Sequence, residues 1–142
     1  MRILVAVDGS KCSLSAVKSV IRHAGWYRGR PDVELVNVRF PVPPIHGMSR
    51  VVSKEQIARY YQEEGAAALT AAQKLLDAEG VSHADHILIG DPAEAIVDLA
   101  TRRKCDLIVI GSQGRTALGN MLVGSVATKI LRLSKVPVQL VR

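Results

Sequence analysis

Fifteen consecutive residues, Gly111 to Ser125 (GSQGRTALGNMLVGS), combine glycines and hydroxyls in an order suited to holding a polyanion. Gly111 and Gly114 let the backbone turn away sharply from the apolar run Leu107, Ile108, Val109, Ile110 and pass close to a ligand. Gly124 and Ser125 then open a helix. The first N–H groups of a helix have no intrahelical partner and the macrodipole is positive at that end, so phosphate oxygens find donors there without many charged side chains. Two familiar phosphate loops fail the comparison. Gly119 to Ser125 has the spacing G-x-x-x-x-G but sets Ser125 where a P-loop sets its Lys, and Gly111, Gly114 and Gly119 do not spell the G-x-G-x-x-G of a dinucleotide site. The segment holds no His or Glu to position water, so binding is the leading chemistry. Phosphoryl transfer onto Ser112, Thr116 or Ser125 is a second reading.

The elements that must position this cradle alternate strand and helix. Arg2 to Val7 reads as a buried strand followed by the turn Asp8, Gly9, Ser10; Asp8 either caps the next helix, turns the chain, or faces a ligand. Leu14, Val17, Val20, Ile21 and Ala24 share one face of a helix over 13–24. Val33 to Val38 is a second strand, and Pro41, Pro43, Pro44 and Gly47 break the segment 40–50 into a mobile loop. A long amphipathic helix, capped by Ser53 and closed near Gly80, buries Ile57, Tyr61, Ala68, Leu69, Ala72, Leu75 and Leu76, with Gly65 as its weak spot. A third strand covers 86–90. Asp91, Pro92 and Glu94 then spell an N-cap, a proline at the first helical position and a capping-box acid, ahead of a helix with Ala93, Ile96, Val97 and Ala100 inward. Leu107 to Ile110 is a fourth strand, 124–133 a fourth helix, and Val136 to Val141 a last strand that Pro137 starts at an edge. Five apolar strands separated by helices predict an α/β fold, a doubly wound five-stranded parallel sheet with helices on both faces. Ligands on such sheets bind beyond the carboxyl ends of the strands, where both Asp8 and Gly111 fall.

Composition bounds the function. The 142 residues, 48% hydrophobic and 23% charged, suit a single domain over 1–142. No apolar run approaches the length of a membrane span or a signal-peptide core, which predicts a cytoplasmic protein with no membrane partner. Lys and Arg outnumber Asp and Glu by 19 to 13, for a net charge of +6, which favours anionic ligands. Nucleic acid is disfavoured: the one dense basic run, Arg102, Arg103, Lys104, sits at a helix end, and five aromatic residues in total give no stacking platform. Cys12 and Cys105 match neither a zinc motif nor a disulfide framework and read as reduced structural thiols. His83 and His86 have the spacing H-x-x-H, yet residues three apart on a strand point to opposite faces, so no protein metal site is expected.

The pattern G-x-x-G, nine residues, G-S, formed by Gly111, Gly114, Gly124 and Ser125, closely resembles that of the universal stress protein family. So do ILVAVDGS over 3–10, LVNV ending at Val38, Gly90-Asp91-Pro92, DLIVIG over 106–111 and the closing VPVQLV. The resemblance runs along essentially the whole chain and points to the family's ATP-binding branch. It implies a Rossmann-like fold of the adenine nucleotide alpha-hydrolase-like kind. Ala6, Val7 and Asp8 would lie at the adenine and ribose end, with Val38 walling the base. Gly111 and Gly114 would follow the ribose and first phosphates, while Gly124, Ser125 and Val126 would offer N–H groups, and Ser125 its hydroxyl, to the outer phosphates. Ser112 and Arg115 complete the set, Arg115 as a bidentate phosphate partner or a merely solvated loop residue. The implied cofactor is ATP, or ADP or AMP, with Mg2+ or Mn2+ held through the phosphates. The implied function is a nucleotide-dependent stress-response regulator with little or no turnover, a homodimer through the last strand that acts on unidentified protein partners. A weak ATPase or autophosphorylating enzyme, and an adaptor that needs no nucleotide, are the alternatives.

Overall fold

The computed structural model describes residues 1–27, 29–41, 53–114 and 123–142. In chain order the elements are β1 (Arg2–Ala6), α1 (Lys11–Arg22), a 3-10 turn (Ala24–Trp26), β2 (Asp32–Arg39), α2 (Lys54–Ala78), β3 (His83–Ile89), α3 (Pro92–Arg102), β4 (Leu107–Gly111), α4 (Ser125–Leu133) and β5 (Val138–Val141). The strands form one parallel sheet in the order β3-β2-β1-β4-β5. The sheet therefore grows outward from β1 in both directions, and the connections leaving β1 and β4 pass to opposite faces. Ile3, Val5, Val33, Leu35 and Val109 pack with Val17, Val20, Leu69 and Leu76 of α1 and α2. Leu4, Ala6, Val36, Ile108 and Ile110 pack with Ile96, Leu99, Ala127 and Ile130 of α3 and α4. That is the doubly wound arrangement expected from the alternation, with the diverging loops meeting above the C-terminal ends of β1 and β4.

Several boundaries differ from the sequence expectation, each for a local reason. The first helix begins at Lys11, because Ser10 is its cap and accepts from Ser13 N–H at 3.1 Å. Asp8 does not cap; its Oδ1 accepts from Ser10 N–H at 2.9 Å, turning the chain through Gly9 at φ +81°. β3 starts three residues early, at His83, since it pairs with β2 from Val33 onward. The last strand starts at Val138, on the sheet's outer edge. In α2 Ile57 is exposed and the buried stripe runs through Tyr61, Gly65, Leu69, Ala72 and Leu76; in α3 Val97 packs half-buried against the core as expected, and Leu99 is buried beside it. Gly65 lies in that stripe where α2 crosses β3 closely, since a Cβ there would meet Ile87 Cγ2 at 2.5 Å. The predicted loop over 40–50 lies outside the described residues beyond Pro41.

At the end of the sheet remote from those loops, Glu34 is 3% exposed. Its carboxylate accepts from Arg103 Nε at 3.0 Å and lies 2.6 Å from His86 Nε2, with Arg2 Nε at 3.4 Å. Burial alone would raise its pKa, but the bonds from Arg103 and His86 outweigh that and hold it below the usual carboxylate value. Burial also pushes the neighbouring Cys105 thiol up to about 11, which leaves it un-ionised at neutral pH, in keeping with a structural role. His83 points to the other face, between Asp77 and Asp85 at 3.1 and 2.9 Å. The two histidines thus diverge as strand geometry requires, and no metal-binding cluster occurs among the described residues.

Candidate functional site

A crevice of about 500 Å³ opens where the loops after β1, β2 and β4 diverge. That volume suits a small organic ligand. Of the residues singled out in the sequence, Ala6, Val7, Asp8, Val38, Gly111, Ser112, Gly114, Gly124, Ser125 and Val126 all line it, although they come from three separate stretches of chain. Arg115 lies outside the described residues. The two loops face one crevice closely enough that a Cβ on Gly114 would stand 2.9 Å from Asp8 Oδ2.

The glycines do three different things. Gly111 is the last residue of β4 and sits beneath the first turn of α1, where a Cβ would meet Cys12 backbone carbon and oxygen at 2.8 and 2.9 Å. Helix-on-strand packing therefore demands its smallness, while its backbone also lines the crevice. Gly114 keeps room for the Asp8 carboxylate. Gly124 has ordinary space around it, its nearest neighbour being Ser112 O at 3.5 Å, and a φ of −72° that any residue adopts. Its N–H donates to Ser112 C=O at 2.6 Å.

What Gly124 leaves undone is more informative. Ser10, Ser53 and Asp91 each cap their helix with a side-chain oxygen, whereas α4 begins at Gly124 with no side-chain cap. The first intrahelical bond is Thr128 N–H to Gly124 C=O, so the N–H groups of Ser125, Val126 and Ala127 have no partner within the helix. All three residues line the crevice. Charged side chains add little there: among the described lining residues the charges are Asp8 and Arg39, and Arg39 is spent on Glu64 at 2.6 Å. The neutral donors along the described lining include the backbone amides at the positive pole of α4 and the hydroxyls of Ser112 and Ser125.

Part of the crevice wall is apolar. Ala6, Val36, Val38, Ile96 and Ile110 give it a wall on the α3 side, Pro92 stands at the helix start, and Phe40 is 64% exposed at the mouth. Asn37 also lines the crevice while buried, with its Nδ2 donating to Val7 C=O at 2.7 Å. Sequence reading missed Asn37, although a polar residue interrupting an apolar strand was the available signal. For Ile96, Ile110 and Phe40 no such signal existed, since each reads as an ordinary core or loop residue. Anchoring is firm on the α3 side, where Lys129 of α4 bonds Asp91 and Glu94 at 3.0 and 2.9 Å. The Asp91 pKa is lowered first by its capping bond from Glu94 N–H and then by Lys129.

The Usp family model, described as the universal stress protein family, matches residues 1–142. The chain belongs to the universal stress protein family. Among curated relatives, universal stress protein MJ0531 of Methanocaldococcus jannaschii is 35% identical over 142 residues, covering 99% of this chain and 81% of that protein. The solved structure of hypothetical protein MJ0577 superposes with a TM-score of 0.84 at 28% identity, over 99% of this chain and 94% of the other. A universal stress protein in complex with cAMP matches with a TM-score of 0.67 at 27% identity, covering 100% and 96% of the two chains. The universal stress protein of Archaeoglobus fulgidus in complex with dAMP matches at 0.66 and 26%, covering 100% and 98%. Two of these similar proteins are thus complexes with adenine nucleotides, and the α/β fold is the architecture they share with this chain. Among the described residues of this universal stress protein, no helix is long and apolar enough to cross a membrane.

Proposed function

We propose that this universal stress protein binds an adenine nucleotide across the crevice, with phosphates at the start of α4 and the base against the apolar wall. The observation that carries this is the uncapped α4, whose free first-turn amides of Ser125, Val126 and Ala127 line the same cavity as an apolar wall. Asp8 lines the same crevice, where a carboxylate would repel phosphate but accept from ribose hydroxyls. Ser112, Gly114 and the Ser125 hydroxyl follow the path toward the outer phosphates, and ATP is the nucleotide proposed, with a divalent ion held by phosphate oxygens and water. Little or no turnover is proposed, because phosphoryl transfer needs cations on the transferring group and the described lining cation, Arg39, is committed to Glu64. The nucleotide then serves as a signal that alters contacts with protein partners in the cytosol. A homodimer is proposed through β5, which among the described residues pairs with β4 alone and lies at the edge of the sheet.

Native mass spectrometry of the freshly purified protein is expected to show a bound adenine nucleotide. Calorimetry with AMP, ADP and ATP should then rank them. No bound nucleotide together with no heat of binding for any of the three overturns the reading, and steady phosphate release from ATP overturns its non-catalytic part. Light scattering at working concentration should give twice the monomer mass, and a monomer would remove the dimer.

A further inference from the structure

The ladder between β1 and β2 stops one rung short. Along β2 the even-numbered residues bond toward β1 and the odd-numbered toward β3: Asp32 N–H donates to Met1 C=O and Val36 C=O accepts from Val7 N–H, while Val33 N–H donates to Ser82 C=O and Arg39 C=O accepts from Gly90 N–H. The next rung toward β1 is Val38 N–H to Val7 C=O. It is not made. Pairing with β1 ends at Ala6 and Val36, although β2 continues against β3 through Val38–Leu88 and Arg39–Ile89. Val7 C=O accepts instead from Asn37 Nδ2 at 2.7 Å.

That substitution has a cost, which argues against mere packing. Asn37 is 2% exposed, and with Nδ2 turned to Val7 its Oδ1 is buried without a hydrogen-bond partner. An unpaired buried acceptor loses its hydration with nothing in return, and an apolar side chain of this size would fill the place without that penalty. The benefit lies in what the amide group releases. Val38 lines the crevice along its apolar wall, half-buried, with its backbone directed to the side where β1 has already ended.

We propose that Asn37 is the positioning residue for the nucleobase: by occupying Val7 C=O it ends the ladder early and keeps Val38 N–H available to an acceptor on the base edge. The proposal rests on the adenine-nucleotide reading above and adds to it the residue that sets base recognition. Asn37 does not touch the phosphate end, so its removal should weaken the base half of the ligand alone.

The test is Asn37→Leu, similar in size and without a donor, compared with wild type by calorimetry against AMP and against ribose 5-phosphate. AMP affinity is expected to fall at least about tenfold, as for loss of one well-placed hydrogen bond, with ribose 5-phosphate changed less than about twofold. Amide hydrogen exchange followed by NMR gives a second readout. In wild type Val38 N–H should exchange freely, be protected by AMP and not by ribose 5-phosphate; in Asn37→Leu it should be protected before any ligand is added, having closed onto Val7. If the variant does not fold, the wild-type exchange contrast decides alone. An unchanged AMP to ribose 5-phosphate ratio in a folded variant, or a wild-type Val38 amide protected without ligand, overturns the proposal while leaving nucleotide binding intact. A wild-type protein that binds neither compound overturns the nucleotide reading and this inference with it.

Discussion

Gly111→Ala and Gly124→Ala, two changes within one glycine pattern, should have opposite consequences. At Gly111 the added Cβ would stand 2.8–2.9 Å from the backbone carbon, oxygen and Cβ of Cys12. Two are main-chain atoms in the first turn of α1 and the Cβ is fixed to it, so no rotamer change relieves the contact and the helix itself must move. Overpacking of this kind costs about 1–3 kcal/mol, less the roughly 0.4–1 kcal/mol that Ala recovers by restricting the unfolded chain. With an unfolding entropy near 2.1 cal/mol/K per residue, the 142 residues give about 0.3 kcal/mol/K, so each kcal/mol lowers Tm by about 3 °C. Gly111→Ala should therefore melt a few degrees lower, up to about 8 °C. At Gly124 the nearest atom is 3.5 Å away and φ is −72°, so the fold should lose only a few tenths of a kcal/mol at the cap position. The new methyl nevertheless stands at the mouth of the α4 amides, and AMP or ATP affinity should drop about tenfold or more. Thermal melts followed by circular dichroism, with and without nucleotide, separate the two effects. A Gly111→Ala protein that melts like wild type but binds no nucleotide would refute the assignment of that glycine to packing. A Gly124→Ala protein that binds like wild type would refute the phosphate site at α4.

Three further outcomes follow from the packing and the charge network. Gly65→Ala should be destabilising even though Ala is favoured by about 1 kcal/mol inside a helix, because Ile87 Cγ2 would be 2.5 Å from the new methyl; Gly65→Ala with Ile87→Ala should recover part of the loss, and a raised Tm for the single variant would contradict the close approach of α2 to β3. Glu34 has its pKa lowered in the fold, so its contribution is present above the ordinary carboxylate value and lost as pH falls through its folded value. Glu34→Gln should therefore cost stability at pH 7, about 1–3 kcal/mol by urea titration, with the difference narrowing toward pH 3; a pH-independent gap would argue against the charge. His83 is the reverse case: burial disfavours its charge, but bonds to Asp77 and Asp85 win and its pKa is raised. Its contribution is full below the ordinary histidine value and fades as pH rises through the folded value, so wild type should exceed His83→Gln in stability at pH 5.5 and match it near pH 8.

The order of strands and helices, the faces they bury and most of the residues around the crevice were legible in the chain itself, because hydrophobic period and cap chemistry are local. Asp91, Pro92 and Glu94 announced α3, and Gly124 with Ser125 announced α4. A glycine pattern, however, records only that side chains are absent. Why each is absent depends on what lies across the gap: Cys12 above Gly111, Asp8 beside Gly114, the Ser112 backbone at ordinary contact distance from Gly124 and Ile87 against Gly65. Those neighbours are tens of residues distant along the chain, and only the crossing of helices over the sheet brings them together. The same holds for Asn37, an unremarked letter in an apolar strand until the register shows β1 ending at Ala6 and Val7 C=O turned to its amide. Local sequence determined which elements form and which ends carry unpaired amides. Tertiary register decided which of those amides are left for a ligand, since a hydrogen bond is either made within the fold or available outside it, and no single segment contains both partners.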